Sequence, residues 1–522
     1  MATERYDVII IGTGAGGGTL AYHLASSGKR ILILERGPYL PREKANWEAK
    51  AVYQDERYHT TDLWQDKEGK PFRPATGYWV GGNTKVYGAA LLRLRERDFE
   101  AVTHKDGISP AWPLGYSDFA PYYDQAEQLY QVHGERGEDH TEPPSSVPYP
   151  FPAVSHEPRM AQIADGLKQQ GLQPFHLPLG IKLNEVDRAL SACIRCDTCD
   201  GFPCLVQAKA DGEIDGIRLA IAHNNVTLKT EAQVLRLLTS QTGREVTGVE
   251  VSEVDGLVTY TADIVVVACG SLNSAALLLK SANEQHPQGL ANSSDQVGRN
   301  FMKHLTVALV SLTPTPNEAV YQKTIAVSDF YWGAPDFPYP MGLVQNTGNV
   351  LKDMLPAEAP ALLAPFVKLS PGFALEEIAE RTTGWWLQTE DLPDPKNRIH
   401  WVKDKIQVDY TLNNIEARDQ LLKRWINILK AVEKAEHVIP FGIYPRTLIP
   451  LQAVGHQCGT CRFGTDPATS VLDINCRTHD VDNLYVVDGS FFPSSSAVNP
   501  TLTIIANALR VGDHLLKRLS GA

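Results

Sequence analysis

YDVIIIGTGAGGGTLAYHLASSGKRILILERG, Tyr6 to Gly37, opens with Val8 to Ile11, a short, continuously apolar and β-branched run. Such a run fits a strand buried on both faces of a parallel sheet. It passes directly into Gly12-Thr13-Gly14-Ala15-Gly16-Gly17, which contains G-x-G-x-x-G. Leu20, Tyr22 and Leu24 follow in a helix-compatible segment closed by Gly28, and Ile31 to Leu34 is a second apolar strand ending in Glu35. The spacing has a mechanism. Gly12 permits the tight turn, Gly14 lets backbone N–H groups approach a pyrophosphate, and Gly17 lets helix and strand pack closely. The helix N-terminus then offers free N–H groups and a favourable dipole to the anion. Glu35 stands at the strand end, where a carboxylate accepts from ribose hydroxyls. Strand, turn, helix, strand and acid in this order predict a dinucleotide site rather than a glycine-rich turn without a ligand.

Working outward, Gly77 to Arg95 (GYWVGGNTKVYGAALLRLR) contains a turn at Gly81-Gly82 where backbone could approach a ligand, though by itself it reads as an ordinary loop. Tyr116, Phe119, Tyr122 and Tyr123 have helical spacing after Ser117, which is expected to cap the helix and to bury an aromatic face. Glu135 to Pro158 is proline-rich and aperiodic and reads as a surface loop or lid. Strands are predicted at Val226–Thr230 and Gln233–Leu237, with a hairpin around Gly243, and at Ile264–Ala268, followed by a helix over Ala275–Lys280. Beyond Phe301 the composition shifts towards prolines, aromatics and alternating runs such as Lys405 to Tyr410, with a helix at Glu416–Glu433. This suggests an antiparallel sheet with helices. A last strand at Leu484–Val487 leads to Asp488-Gly489, and Asn499-Pro500 turns into a helix at Leu502–Gly512.

Length and composition narrow the function. At 522 residues, two domains or one large composite domain are expected. Hydrophobic content of 43% and charged content of 21% fit a globular protein. A net charge of −12 without long single-sign runs argues against nucleic acid or an anionic membrane as partner. No stretch approaches a transmembrane length. The first strand starts at Tyr6, too early for a signal peptide, so a cytoplasmic location is expected. Four of the eight cysteines, Cys193, Cys196, Cys199 and Cys204, fall within twelve residues. Thiolates so spaced can ligate zinc or an iron–sulfur cluster; local disulfides and plain buried thiols are the competing readings.

Four blocks, Asp7–Gly37, Val80–Arg93, Asp263–Leu279 with Gln296–His304, and Gly455–Leu515, together resemble the glucose–methanol–choline (GMC) flavin oxidoreductases. The middle, about Phe301 to Pro450, matches loosely. The resemblance implies an α/β fold: a Rossmann-like FAD-binding domain built from discontinuous segments (1–45, 75–100, 190–305 and 450–522), plus an α+β substrate domain with an antiparallel sheet (46–74, 101–189 and 306–449). It implies FAD with its pyrophosphate over Gly12, Gly14 and Gly17 and its ribose on Glu35. By the same match Gly82, Thr84, Tyr87, Gly88 and Ala89 line flavin and pyrophosphate. Val234 meets adenine through its backbone, Asp488 and Gly489 hold the ribityl chain and pyrophosphate, and Pro500 and Thr501 lie at the pyrimidine edge. Members with covalent flavin carry His at the position of Val86, so noncovalent FAD is expected. Tyr87 stands where the family usually has Asn, as in the pyranose oxidase branch, which favours a sugar or glycoside.

His456 matches the family's active-site His, and Asn499 the second position, His or Asn among relatives. Oxidising an alcohol removes a hydroxyl proton as hydride leaves carbon, and an imidazole suits that proton. An amide can orient the hydroxyl and stabilise alkoxide charge. His223, His304 and His479 have no such support and read as structural. The resemblance therefore implies oxidation of a CH–OH group of a sugar, glycoside or other alcohol, with the electron acceptor open. The rivals are a lyase of the hydroxynitrile lyase type and an electron-transfer subunit using an iron–sulfur cluster at Cys193–Cys204.

Overall fold

The computed structural model describes residues 5–313, 315–358, 369–433 and 444–521. Val8, Ile9 and Ile10 are fully buried, as their unbroken apolar run predicts. They form the middle of a parallel array in the order Val226–Lys229, Ile31–Leu34, Arg5–Ile11, Gly256–Val267 and Leu484–Val486. Strands from the two ends and the middle of the chain thus meet in one Rossmann-like sheet. The Ala15–Ala25 helix leaves the first strand through the glycine turn. Gly12 has φ +102°, and a Cβ there would lie 2.3 Å from the Ala268 carbonyl oxygen. A Cβ on Gly17 would lie 2.1 Å from the Gly12 carbonyl oxygen, so the helix can rest on the strand only without one.

Two local expectations are corrected. The strand expected at Ile264–Ala268 begins at Gly256, because its half-buried N-terminal part pairs antiparallel with Val246–Glu253 before the apolar part enters the parallel array. The Tyr116–Leu129 helix is capped at Gly115, not Ser117: the Gly115 N–H donates to the Asp118 carboxylate at 2.9 Å. Its aromatic face is buried as expected, and Tyr123 Oη and Thr503 Oγ1 lie 2.8 Å apart where it crosses the C-terminal helix, Thr501–Ser520.

The second sheet is antiparallel, in the order Arg446–Leu448, Leu305–Leu312, Thr382–Thr389, Leu343–Asn346, Ile325–Val327 and Phe175–His176. Helices Pro158–Gln169 and Ile415–Val432 cover one face with a separate apolar core. Its centre is Trp385 against Trp425, edge to face at 4.9 Å. Such a pair adds about 0.5–1.5 kcal/mol beyond the area it buries. The Lys405–Asp409 strand joins neither large sheet; it pairs with Arg398–Val402 and Trp64–Asp66 in a small sheet of its own. Among the described residues no helix is long and apolar enough to cross a membrane.

Candidate active site

Between the two large sheets lies a cavity of about 1170 Å³. Its wall takes Gly12, Gly14 and Glu35 from the parallel array, and Thr306, Ala308 and Trp386 from the antiparallel sheet. Three helices begin on it: Ala15–Ala25, Ser271–Lys280 and Thr501–Ser520. None has a side-chain cap at its N-terminus, so first-turn N–H groups and three positive dipole ends are available to an anionic ligand. A Cβ on Gly14 would meet no atom within 4 Å; the glycine opens a cradle beside the first of these helix ends. Glu35 accepts from Thr13 N–H at 3.2 Å and Gly37 N–H at 3.0 Å. Burial pushes its carboxyl above the usual carboxylate range. It also accepts from Thr13 Oγ1 at 2.5 Å, so of about four acceptor sites one is left for a ribose hydroxyl. The chemistry of this donor set fits a dinucleotide.

Gly82, Thr84, Tyr87, Gly88, Val234, Asp488, Gly489, Pro500 and Thr501 line the same cavity, as do His456 and Asn499. Gly17 and Ala89 do not; Gly17 works in helix packing, and Ala89 is wholly buried behind the wall. The Asp488 carboxylate is engaged by Ser274 Oγ, Gly270 N–H and Ser490 N–H, so it pins the 270 and 490 turns. What Asp488 offers a ligand is its backbone. Tyr87 donates its hydroxyl to the Ala210 carbonyl at 2.5 Å.

His456 is half-buried, and its remaining surface faces the cavity. Burial, helped by Lys323, holds its pKa well below the usual histidine value, and a charged His304 would push it lower still. Asn499 Oδ1 accepts from Gln345 Nε2 at 3.3 Å, which turns the amide NH₂ away from that contact. Lys323 is paired with Asp200 at 2.9 Å. Trp386 stands with its ring centroid 6.5 Å from that of His456.

One residue read as structural touches the site. His304 Nδ1 lies 3.0 Å from His456 Nδ1, and His304 Nε2 lies 3.0 Å from the Ser495 carbonyl oxygen. The Gln296–His304 block contains the residue, but nothing in the sequence marks its partner, because the two histidines are 152 residues apart.

The four clustered thiols come together in space. Cys193, Cys196, Cys199 and Cys204 line one void of about 10 Å³, too small for more than a water. All eight cysteines are free. Among the described residues no group of three or more His, Cys, Asp or Glu side chains is arranged to hold a metal ion. Burial pushes the Cys193 thiol up to about 12 and raises that of Cys199. Cys193 and Cys199 are buried, Cys196 and Cys204 partly exposed. The tip of the loop, Asp200-Gly201, reaches the main cavity instead.

Family models described as GMC oxidoreductase match residues 6–306 and 391–508. The chain belongs to the GMC oxidoreductase family. It is an oxidoreductase of this FAD-dependent type. The two matches leave out residues 307–390, within the stretch where the sequence motifs fade. The GMC chain is 30% identical over 556 residues to 6'''-hydroxyparomomycin C oxidase of Streptomyces lividus, covering 99% of this chain and 93% of that protein. It is 30% identical to paromamine 6'-oxidase of Streptomyces fradiae, covering 97% and 90%. A formate oxidase structure from Aspergillus oryzae, determined for the effect of mutation on its FAD modification, superposes with a TM-score of 0.68 at 14% identity over 99% of this chain and 98% of that one. At that identity the likeness shows the fold alone.

Proposed function

We propose that this GMC oxidoreductase binds FAD noncovalently and oxidises a CH–OH group of a sugar, glycoside or related alcohol, with His456 as base and Asn499 orienting the hydroxyl. The supporting observation is that His456 and Asn499 share one cavity wall with the glycine cradle and three uncapped helix ends. Gly12, Gly14 and the Ala15–Ala25 helix end would hold the pyrophosphate and Glu35 the ribose, and Val86 has no atom able to form a flavin bond. When bound, FAD supplies the acceptor for the two electrons and hydrogen leaving the carbinol carbon.

The chain's own part is binding, orientation and proton handling. Asn499 donates its amide N–H to the substrate oxygen and stabilises the negative charge that grows there. His456 takes the hydroxyl proton, so the alcohol becomes a carbonyl as its O–H and C–H bonds both break. Burial keeps the imidazole neutral beforehand. Trp386 offers an apolar ring face beside His456, suited to stacking on the C–H face of a sugar. The amino-sugar names of the two relatives support a glycoside as substrate class. The reading includes division of labour between cofactor segments (1–45, 75–100, 190–305, 450–522) and substrate segments elsewhere, and a cytoplasmic home, which eight unpaired thiols favour.

The test is the flavin spectrum of the purified protein under anaerobic conditions, with and without pools of sugars, glycosides and alcohols. One pool is expected to bleach the flavin band. In His456→Ala the same bleaching should slow by at least about a hundredfold, the low end for loss of a general base. A band that stays oxidised with every pool would support the lyase reading instead.

A further inference from the structure

We propose that His304 is a positioning residue that fixes the tautomer of His456, holding the proton on His456 Nδ1 so that Nε2 is bare towards the cavity. The inference rests on the base reading of His456 above. The Ser495 carbonyl oxygen sets the proton on His304. A carbonyl oxygen only accepts, so His304 Nε2, 3.0 Å away, must carry a hydrogen and donate it. In a neutral imidazole the other nitrogen is then a bare acceptor. His304 Nδ1 is therefore a lone pair, and it faces His456 Nδ1 at 3.0 Å. Two lone pairs at that distance repel, so His456 Nδ1 carries the hydrogen. His456 Nε2 is left without one. It has no hydrogen-bond partner among the described residues, and the ring lines the cavity.

The backbone holds this geometry. Met302 and Cys458 exchange N–H···O bonds of 3.0 and 2.9 Å, two residues from each histidine. The bridge locks the segment carrying His304 to the segment carrying His456. His304 itself has φ +60°, a left-handed conformation costing about 1–3 kcal/mol that persists only where the surroundings impose it. The rings stand perpendicular, with centroids 5.1 Å apart.

The charge state is consistent. Burial pushes the His304 pKa down to about 4, although Ser495 and Glu390 oppose the shift, while Lys303 adds to it. Lys323 faces His456 and disfavours a charge there until substrate delivers its proton. When Nε2 takes that proton, the Nδ1–H of the resulting imidazolium still donates to His304. A neutral acceptor thus steadies the cation without a buried carboxylate.

The holoenzyme tests this through anaerobic flavin reduction, followed against pH, and through ¹⁵N spectra of its histidine rings. His304→Leu removes the acceptor. His304→Gln keeps an acceptor oxygen towards His456 and a donor towards Ser495. His304→Leu is expected to slow reduction by about 10- to 100-fold, in the range found when a group orienting a functional histidine is lost. It should also move the acid limb of the pH profile to lower pH, and His304→Gln should recover much of both. In the wild type the His456 ring should show a protonated Nδ1 and a bare Nε2, with the reverse in His304. A hydrogen on His456 Nε2, or an unshifted acid limb with equal losses in both variants, overturns the proposal. If His456→Ala also reduces flavin at the wild-type rate, the base reading fails, whereas a failure confined to the His304 readouts leaves that reading standing.

Discussion

At the scale of the residue, the proposed chemistry depends on keeping an imidazole neutral until it is needed. His456 sits in a wall where burial and Lys323 disfavour its charged form, whereas neutral His304 accepts from its Nδ1–H. Its folded pKa is lowered, so the protonated, inactive form accumulates only well below pH 6.5. The rate of flavin reduction by substrate is therefore expected to be flat from about pH 8 to 6.5 and to fall only beneath that range. Anaerobic stopped-flow measurements across pH would check it, and an acid limb centred at or above 6.5 would contradict the burial argument. His456 and Asn499 were legible in the sequence because each lies in a motif with recognisable neighbours. His304 closes the Gln296–His304 block, but nothing in that block marks a contact with His456; its backbone bridge to Cys458 brings the two together.

At the scale of the element, the glycine turn separates two jobs that the sequence motif presents as one. Gly14 faces open space, whereas Gly17 is pressed on the Gly12 carbonyl. Gly14→Ala should fold with an almost unchanged Tm yet bind FAD more weakly, because the new methyl enters the cradle. Gly17→Ala should lose stability in the apoprotein itself, by about 1–3 kcal/mol, as overpacked positions do. Thermal melts of the two apoproteins and FAD titrations would separate the effects. Equal Tm losses in both would show that Gly14 is a packing residue too. The strand–turn–helix order was readable from apolar runs, but the cap at Gly115 was not. It depends on which of two neighbouring polar side chains, Ser117 or Asp118, turns back to the free N–H.

At the scale of the whole molecule, the cavity lies where two separately cored sheets meet. The antiparallel sheet supplies Trp386 and Gln345 to the site on one face and is backed by Trp385 and Trp425 on the other. Trp425→Ala should cost about 3–5 kcal/mol of stability, the usual penalty for a buried tryptophan. If the parallel array keeps its own core, the variant should hold FAD under mild conditions while substrate no longer reduces it efficiently. Chemical denaturation followed by both flavin and tryptophan fluorescence would show this, and simultaneous loss of FAD at every denaturant concentration would argue for one indivisible core.

The sequence by itself determined the parallel array, its glycine cradle, the acid at the end of the second strand, and the pair His456 and Asn499. These are carried by short-range signals: apolar runs of strand length, glycines at fixed spacing, and residues embedded in recognisable blocks. Tertiary structure alone decided what depends on distant segments meeting. It showed the four clustered thiols converging on one small void, because proximity along the chain does not set the direction of side chains. It saturated Asp488 with Ser274 and Ser490, sent Lys405–Asp409 to a small separate sheet, and placed His304 against His456. Each of these outcomes follows from packing and backbone pairing between residues far apart in sequence, for which the local pattern holds no information.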